Sequence, residues 1–280
     1  MPAARNLRMI ELIHLGRAFT RGDGQSVQAV DDVSLIIPEG QFVCLIGASG
    51  CGKSTLLQMI AGLLEPSAGS TVVAGEEVAG PGRERGMIFQ KDSVFPWMKV
   101  IDNVEYGLKC RNVPPQQRRE LARAYVRRVG LAHVENAWPR ELSGGMLKRV
   151  AIAAVFANGS PVLLLDEPFA ALDYVTRHHL HDVLLDLWEE PGKTVPRTVL
   201  FVTHDVDEAL TLADRILVME GGKLIAEINH HIARPRHLQD PIMQSRRLEL
   251  LRLLGVDDIP ESPQQGWSPP RIRVPERVVV

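Results

Sequence analysis

The sequence predicts an α/β fold with a mostly parallel central sheet. Three observations lead there. Short apolar, β-branched runs of strand length recur along the chain, long stretches with helical spacing lie between them, and the first buried run ends in a glycine-rich loop that opens a helix. Near the N-terminus "DVSLIIPEG" (32–40) and "GSTVVAG" (69–75) read as strands of a small antiparallel part. "QFVCLIG" (41–47) is a buried strand, and "KSTLLQMIAGLL" (53–64) follows as a helix with Leu56, Ile60 and Leu63 on one face. "RGMIFQ" (85–90), "PVLLLDE" (161–167), "TVLFVT" (198–203) and "RILVME" (215–220) are further buried strands. "VMEGGKLIAEI" (218–228) is a hairpin turning at Gly221-Gly222. Residues 91–158 contain helical patterns and no convincing strand. One of these helices places Leu121, Tyr125 and Val129 at helical spacing, with Arg118, Arg119, Arg123, Arg127 and Arg128 as a solvated face. The proline-rich end, 259–280, reads as a loosely ordered tail.

Composition narrows the function class. With 280 residues there is ample material for a core, and 45% apolar and 24% charged residues are ordinary for a soluble globular chain. A formal charge of −2 gives no electrostatic reason to expect nucleic acid or an acidic membrane as partner. Three cysteines without a CxxC pair fit a reducing compartment. No run approaches the ~18 apolar residues of a membrane span, and the N-terminus lacks the apolar core of a signal peptide. A cytosolic protein is expected.

"GASGCGKS" (47–54) matches G-x-x-x-x-G-K-[ST] between a strand and a helix. Gly47, Gly50 and Gly52 let consecutive backbone N–H groups curl around phosphate oxygens, with Ala48, Ser49 and Cys51 completing the loop. The helix N-terminus adds partial positive charge. Lys53 is placed for the β- and γ-phosphates, the Ser54 hydroxyl for Mg²⁺, and Thr55 follows in the first helical turn. A second element, "LLLDEP" (163–168), sets two carboxylates at the end of a buried strand, where such sheets open on a ligand crevice. Asp166 suits the metal, and Glu167 suits orienting an attacking water. Gln90 and His204 close two other apolar strands, Gln90 toward the metal and water, His204 toward the γ-phosphate or Glu167. "ELSGGMLKRV" (141–150) poses a separate question. Ser143 is a good N-cap, but Gly144 and Gly145 each cost a helix up to ~1 kcal/mol relative to alanine. Something approaches that backbone closely.

Phosphate loop, Gln90, "LSGGM", "LLLDEP", "ALD" (171–173) and His204 stand in the order of an ATP-binding cassette ATPase, which residues 8–230 resemble. The resemblance implies a phosphate-loop NTPase with a RecA-like core, an antiparallel β subdomain, an inserted helical subdomain over about 91–158, and a partly disordered C-terminal extension from 231 to 280. It implies ATP and Mg²⁺ as cofactors, the ion held by Ser54, Gln90 and Asp166. It also implies an ATP sandwich with a second copy or a paralogous cassette. There Ser143, Gly144 and Gly145 meet the γ-phosphate held by the opposite phosphate loop, and Asp173 lies along the interface. Phe19 matches the aromatic that stacks on adenine.

Met146 and Ala154 depart from the glutamine and arginine of many cassettes. The methionine, "FPWMKVIDNV" (95–104), "DEPFAALD" (166–173) and "RPR" (234–236) are similar to importers of nitrate, sulfonates and taurine. The resemblance thus implies separate permease subunits docking near Trp97 after Gln90, a solute-binding protein, and a peripheral location on the cytoplasmic face of the membrane. A nucleic-acid cassette machine is the rival; it calls for a coiled-coil insertion or two cassettes in one chain, and neither is present. A phosphate-loop kinase leaves "LSGGM" unexplained. His178 and His181 share a helix face and read as solvated rather than as a zinc site.

Overall fold

The computed structural model of the protein describes residues 8–256 apart from 21, 23, 92, 93, 171 and 190–195. Among the described residues ten strands are formed: β1 (Arg8–Thr20), β2 (Ser26–Pro38), β3 (Phe42–Ile46), β4 (Ala68–Val73), β5 (Glu76–Glu77), β6 (Arg85–Ile88), β7 (Val162–Asp166), β8 (Thr198–Thr203), β9 (Arg215–Glu220) and β10 (Lys223–Asn229). The helices are α1 (Lys53–Ala61), α2 (Val100–Cys110), α3 (Pro115–Arg128), α4 (Gly144–Ala157), α5 (Tyr174–Trp188), α6 (Val206–Leu212) and α7 (Pro241–Leu253).

Strands β10-β9-β3-β8-β7-β6 form a six-stranded sheet, parallel throughout except for β10. Its inner strands β3, β7 and β8 are largely apolar runs, buried along their whole length because both faces are covered. On β3, Phe42, Cys44 and Ile46 face one core with the helices, while Val43 and Leu45 face a second core. That second core is closed by α1 and by a four-stranded antiparallel sheet, β2-β1-β4-β5. The hairpin of β9 and β10 turns at Gly221 and Gly222, which hold φ of 52° and 84°, the positive values a tight two-residue turn requires.

Register sets the site. Ile46 pairs with Thr203, Val202 with Asp166, and Leu165 with Ile88. The residues that follow β3, β8, β7 and β6 therefore leave the sheet along one edge.

Several local expectations change. β1 is a 13-residue strand that pairs with both β2 and β4. Gly62, at φ 75°, ends α1, so Leu63 falls outside the helix and is exposed. The buried face of α3 is Ala122, Tyr125 and Val126, with Val129 just past its end, and Leu121 is exposed. Four of its five arginines are ion-paired rather than merely solvated, and Arg127 is exposed. Arg118 and Arg119 grip Glu105 on α2, and Arg123 and Arg128 reach Glu135 and Asp186. Burial raises the Glu105 carboxyl, but the two arginines outweigh it and hold the group below the usual carboxylate range. His181 is buried rather than solvated, its ring 5.2 Å from that of Phe169. The whole of the expected tail, 259–280, lies outside the described residues, whereas earlier in the 231–280 extension α7 packs against α6, with Met243 and Leu250 buried.

Candidate active site

The loop from Gly47 to Gly52 links β3 to α1, and neighbours within the chain dictate two of its glycines. A Cβ on Gly47 would stand 2.2 Å from the Met219 carbonyl oxygen, and one on Gly52 would stand 2.1 Å from that of Ala29. Gly52, the N-cap of α1, also holds φ 109°, and Gly50 holds φ 81°. Cys51 is buried in the second core, as a loop filler should be. Ala48, Ser49 and Gly50 form an exposed rim. Lys53, only 4% exposed, folds back so that Nζ donates to the carbonyls of Gly47 at 2.8 Å and Ala48 at 3.0 Å. Among the described residues it makes no ion pair. A buried ammonium inside a loop of backbone amides is chemistry suited to a polyanion.

Beside the loop, Ser54 Oγ donates to Asp166 Oδ1 at 2.9 Å, joining the start of α1 to the end of β7. Burial raises the Asp166 carboxyl above its ordinary range; the Ser54 hydroxyl lowers it and the neighbouring Glu167 raises it again. A hydroxyl and a buried carboxylate facing each other form an oxygen donor pair of the kind Mg²⁺ takes.

Glu167 is the centre of the strand-edge cluster. Its Oε2 accepts from Gln90 Nε2 at 3.2 Å and lies 3.2 Å from His204 Nδ1. The three strand-end residues expected to work together are thus in contact. The backbone at Glu167 holds φ 42°, a left-handed conformation uncommon for a residue with a side chain. It is held by Glu167 N donating to Val202 O at 3.0 Å and by Glu167 O accepting from Ala170 N at 3.2 Å. Strain of this kind, on the order of 1–3 kcal/mol, persists where surrounding structure over-determines it, and it clusters at active sites.

A second group stands on α4 and α5. Ser143 caps α4 by accepting from Met146 N at 3.3 Å, and Asp173 caps α5 by accepting from Thr176 N at 3.0 Å. That bond to Thr176 N holds the exposed Asp173 carboxyl below its usual range. The two caps are adjacent, because a Cβ on Gly145 would meet the Thr176 methyl at 2.7 Å. A Cβ on Gly144 would meet nothing within 4 Å. Phe19, near the end of β1, is partly exposed, with the Arg17 guanidinium 4.9 Å from its ring centroid.

Sequence reasoning missed two polar links to this site: Lys148 on α4, which donates to the Gln90 carbonyl at 2.7 Å, and Arg177 on α5. Both are long cations on helices, and nothing in their spacing separates them from surface charge.

A phosphate loop, an acid-tipped central strand and two polar strand ends converging on one carboxylate define a phosphate-loop ATPase. Comparison with known proteins places it more closely. The family model described as ABC transporter matches residues 30–170. An uncharacterized ABC transporter ATP-binding protein of Methanocaldococcus jannaschii is 42% identical over 83% of this chain and 86% of its own length. The nitrate import ATP-binding protein NrtD of Synechocystis is 47% identical over 75% of this chain and 77% of its own. The taurine import ATP-binding protein TauB of Rhizobium johnstonii is 44% identical over 79% and 84%. Among solved structures, the dimeric post-hydrolysis state of the ATP-binding cassette MJ0796 bound to ADP and Pi superposes with a TM-score of 0.71. It is 31% identical and covers 80% of this chain and 100% of that one. The chain belongs to the ABC transporter family, as an ATPase of its importer branch.

Proposed function

We propose that the chain is the ATP-hydrolysing subunit of an importer for a small anion or organic solute such as nitrate, a sulfonate or taurine. The observation that carries the mechanism is the convergence of Gln90 and His204 on Glu167, at the same strand end as Asp166 and its partner Ser54. Glu167 orients water for direct attack on the γ-phosphate, with no covalent intermediate. Gln90 and His204 fix its carboxylate against rotation. Lys53 exchanges its carbonyl partners for the β- and γ-phosphate oxygens. Ser54, Gln90 and Asp166 are the residues to hold Mg²⁺, which when bound supplies charge neutralisation at those oxygens. Gln90 Nε2 is directed at Glu167, and its amide oxygen is the atom left for the ion. Phe19 is the residue for the adenine ring.

The cassette domain is residues 8–230 with its helical subdomain at about 91–158, and 231–280 is the extension. The working unit is two such cassettes, from a second copy or a paralogue, with Ser143, Gly144, Gly145 and Asp173 facing the partner's phosphate loop. The dimeric relative and the importer names of the others support this reading. Among the described residues no helix is long and apolar enough to cross a membrane. Transport is therefore assigned to separate permease subunits, which dock beside the exposed Trp97 and receive solute from a binding protein. The cassette itself sits peripherally on the cytoplasmic face.

The test is MgATP turnover by the purified chain and its Glu167→Gln variant. Glutamine keeps the shape and the partners but is a far weaker base, so turnover should fall ~10²-fold or more while nucleotide binding persists. Unhydrolysed MgATP should then trap a dimer in light scattering. Wild-type turnover in the variant would remove Glu167 from the mechanism.

A further inference from the structure

We propose that Arg177 is a positioning residue that couples the Asp173 turn to His204, an inference that rests on the roles given to those two residues above. Arg177 lies one turn into α5. Its Nη2 donates to the Leu172 carbonyl at 3.0 Å, immediately before Asp173, and its Nη1 donates to Asp205 Oδ2 at 2.7 Å, immediately after His204. Its Nε stands 3.7 Å from Glu208 Oε1. One guanidinium therefore spans two segments that the sequence separates by some thirty residues.

The far end of the bridge is fixed. Asp205 Oδ1 accepts from the N–H groups of Asp207 at 2.8 Å and Glu208 at 3.3 Å, capping α6. The Asp205 N–H donates to Thr203 Oγ1 at 3.0 Å, and the Thr203 hydroxyl donates to Glu208 Oε2 at 2.6 Å. Thr203 and Asp205, on either side of His204, thus belong to one polar network whose inner members, Thr203 and Glu208, are buried. At the near end, Asp173 is exposed on the face that Gly145 shares through Thr176. A body that engages the Asp173 turn moves the Leu172 carbonyl. The planar fork passes that movement to Asp205, and so to His204 against Glu167. The geometry requires arginine: lysine is a single point charge and satisfies one end or the other.

The test compares Arg177→Lys, Asp205→Asn and the double variant with wild type and Glu167→Gln, reading kcat, nucleotide Kd and Tm. Asparagine at 205 keeps an oxygen for the α6 cap but turns a donor toward Arg177. Each single variant should lose ~5-fold or more in kcat with Kd within about twofold and Tm nearly unchanged. The double variant should be no worse than the worse single, because both break one link. Full activity in the singles, additive losses in the double, or a kcat that falls only together with Kd and Tm would each overturn the coupling role. Failure of the ATPase reading itself shows separately, as a wild type that Glu167→Gln does not impair.

Discussion

Gly144 and Gly145 are neighbours of the same chemistry, yet their surroundings demand glycine at only one of them. Gly145 lacks a side chain because the Thr176 methyl occupies the space, whereas a Cβ on Gly144 meets open solvent. In the isolated chain Gly144→Ala should be neutral or stabilising by up to ~1 kcal/mol, since alanine is the better helix former. If a second cassette presses its nucleotide against this backbone, the same methyl should cut turnover ~10-fold or more. Thermal melts and ATPase rates on Gly144→Ala separate the two effects, and a variant as active as wild type would leave Gly144 without a role in trans. Gly145→Ala, by contrast, should lower Tm. At this scale the sequence was legible where chemistry is encoded by residue type and spacing, as at Lys53, Asp166, Glu167, Gln90 and His204. The positive φ of Glu167 was not, because it is imposed by Val202 and Ala170 rather than by any local preference of glutamate.

Helix α6, which follows His204, is anchored by polar contacts at both ends. Arg247 on α7 pairs with Asp207 near its start. At its other end the "RPR" arginines take the unpaired carbonyls: Arg236 donates to those of Leu210, Thr211 and Ala213, and Arg234 to that of Leu212. Burial lowers the Arg236 guanidinium to about 10, still protonated at neutral pH. His230 is packed beside it, its Nε2 3.0 Å from the Leu210 carbonyl. Burial first, and the Arg236 charge second, push its pKa down to about 4 from 6.5. The folded state therefore keeps His230 neutral while the unfolded chain takes up a proton below about pH 6.5. The contribution of His230 to stability is complete above that value and is lost as pH falls through about 4, on the order of 3 kcal/mol in total. Urea melts from pH 7 to 4 should show this slope, and His230→Gln should flatten it; parallel curves for the two proteins would rule out His230 as its source. The motif is visible in the sequence, but its task is not, since the carbonyls it takes at the end of α6 lie more than twenty residues away. Strands β3, β7 and β8 were readable because burial on both faces leaves an unbroken apolar run. β1 was not, because irregularities in its pairing at Arg8/Ile10, Leu12/Leu15, Leu15/Arg17 and Arg17/Ala18 break the two-residue alternation.

At the scale of the whole molecule, the proposed site residues stand in two groups on different elements. The phosphate loop opens at the sheet edge, and the Ser143 and Asp173 caps form a separate exposed face on α4 and α5. If these halves meet only between copies, defects in them should complement. A Lys53→Ala chain lacks the phosphate cation, and a Ser143→Arg chain presents a bulky cation to the approaching ligand. Either homodimer has a defect in both composite sites and should be inactive. In the mixed dimer both defects fall in one site. The other joins the intact loop of the Ser143→Arg chain to the intact Ser-Gly-Gly of the Lys53→Ala chain. Purified heterodimer with two tags should therefore recover ATPase activity well above both homodimers. A tandem fusion with both substitutions in one half and none in the other is the control. Each of its composite sites carries one defect, so complementation in trans leaves it inactive, whereas a Ser-Gly-Gly segment serving its own loop leaves one half working. Activity in the fusion together with a silent heterodimer that forms and binds ATP would place both halves of the site in one chain, and the open space at Gly144 would then need another occupant.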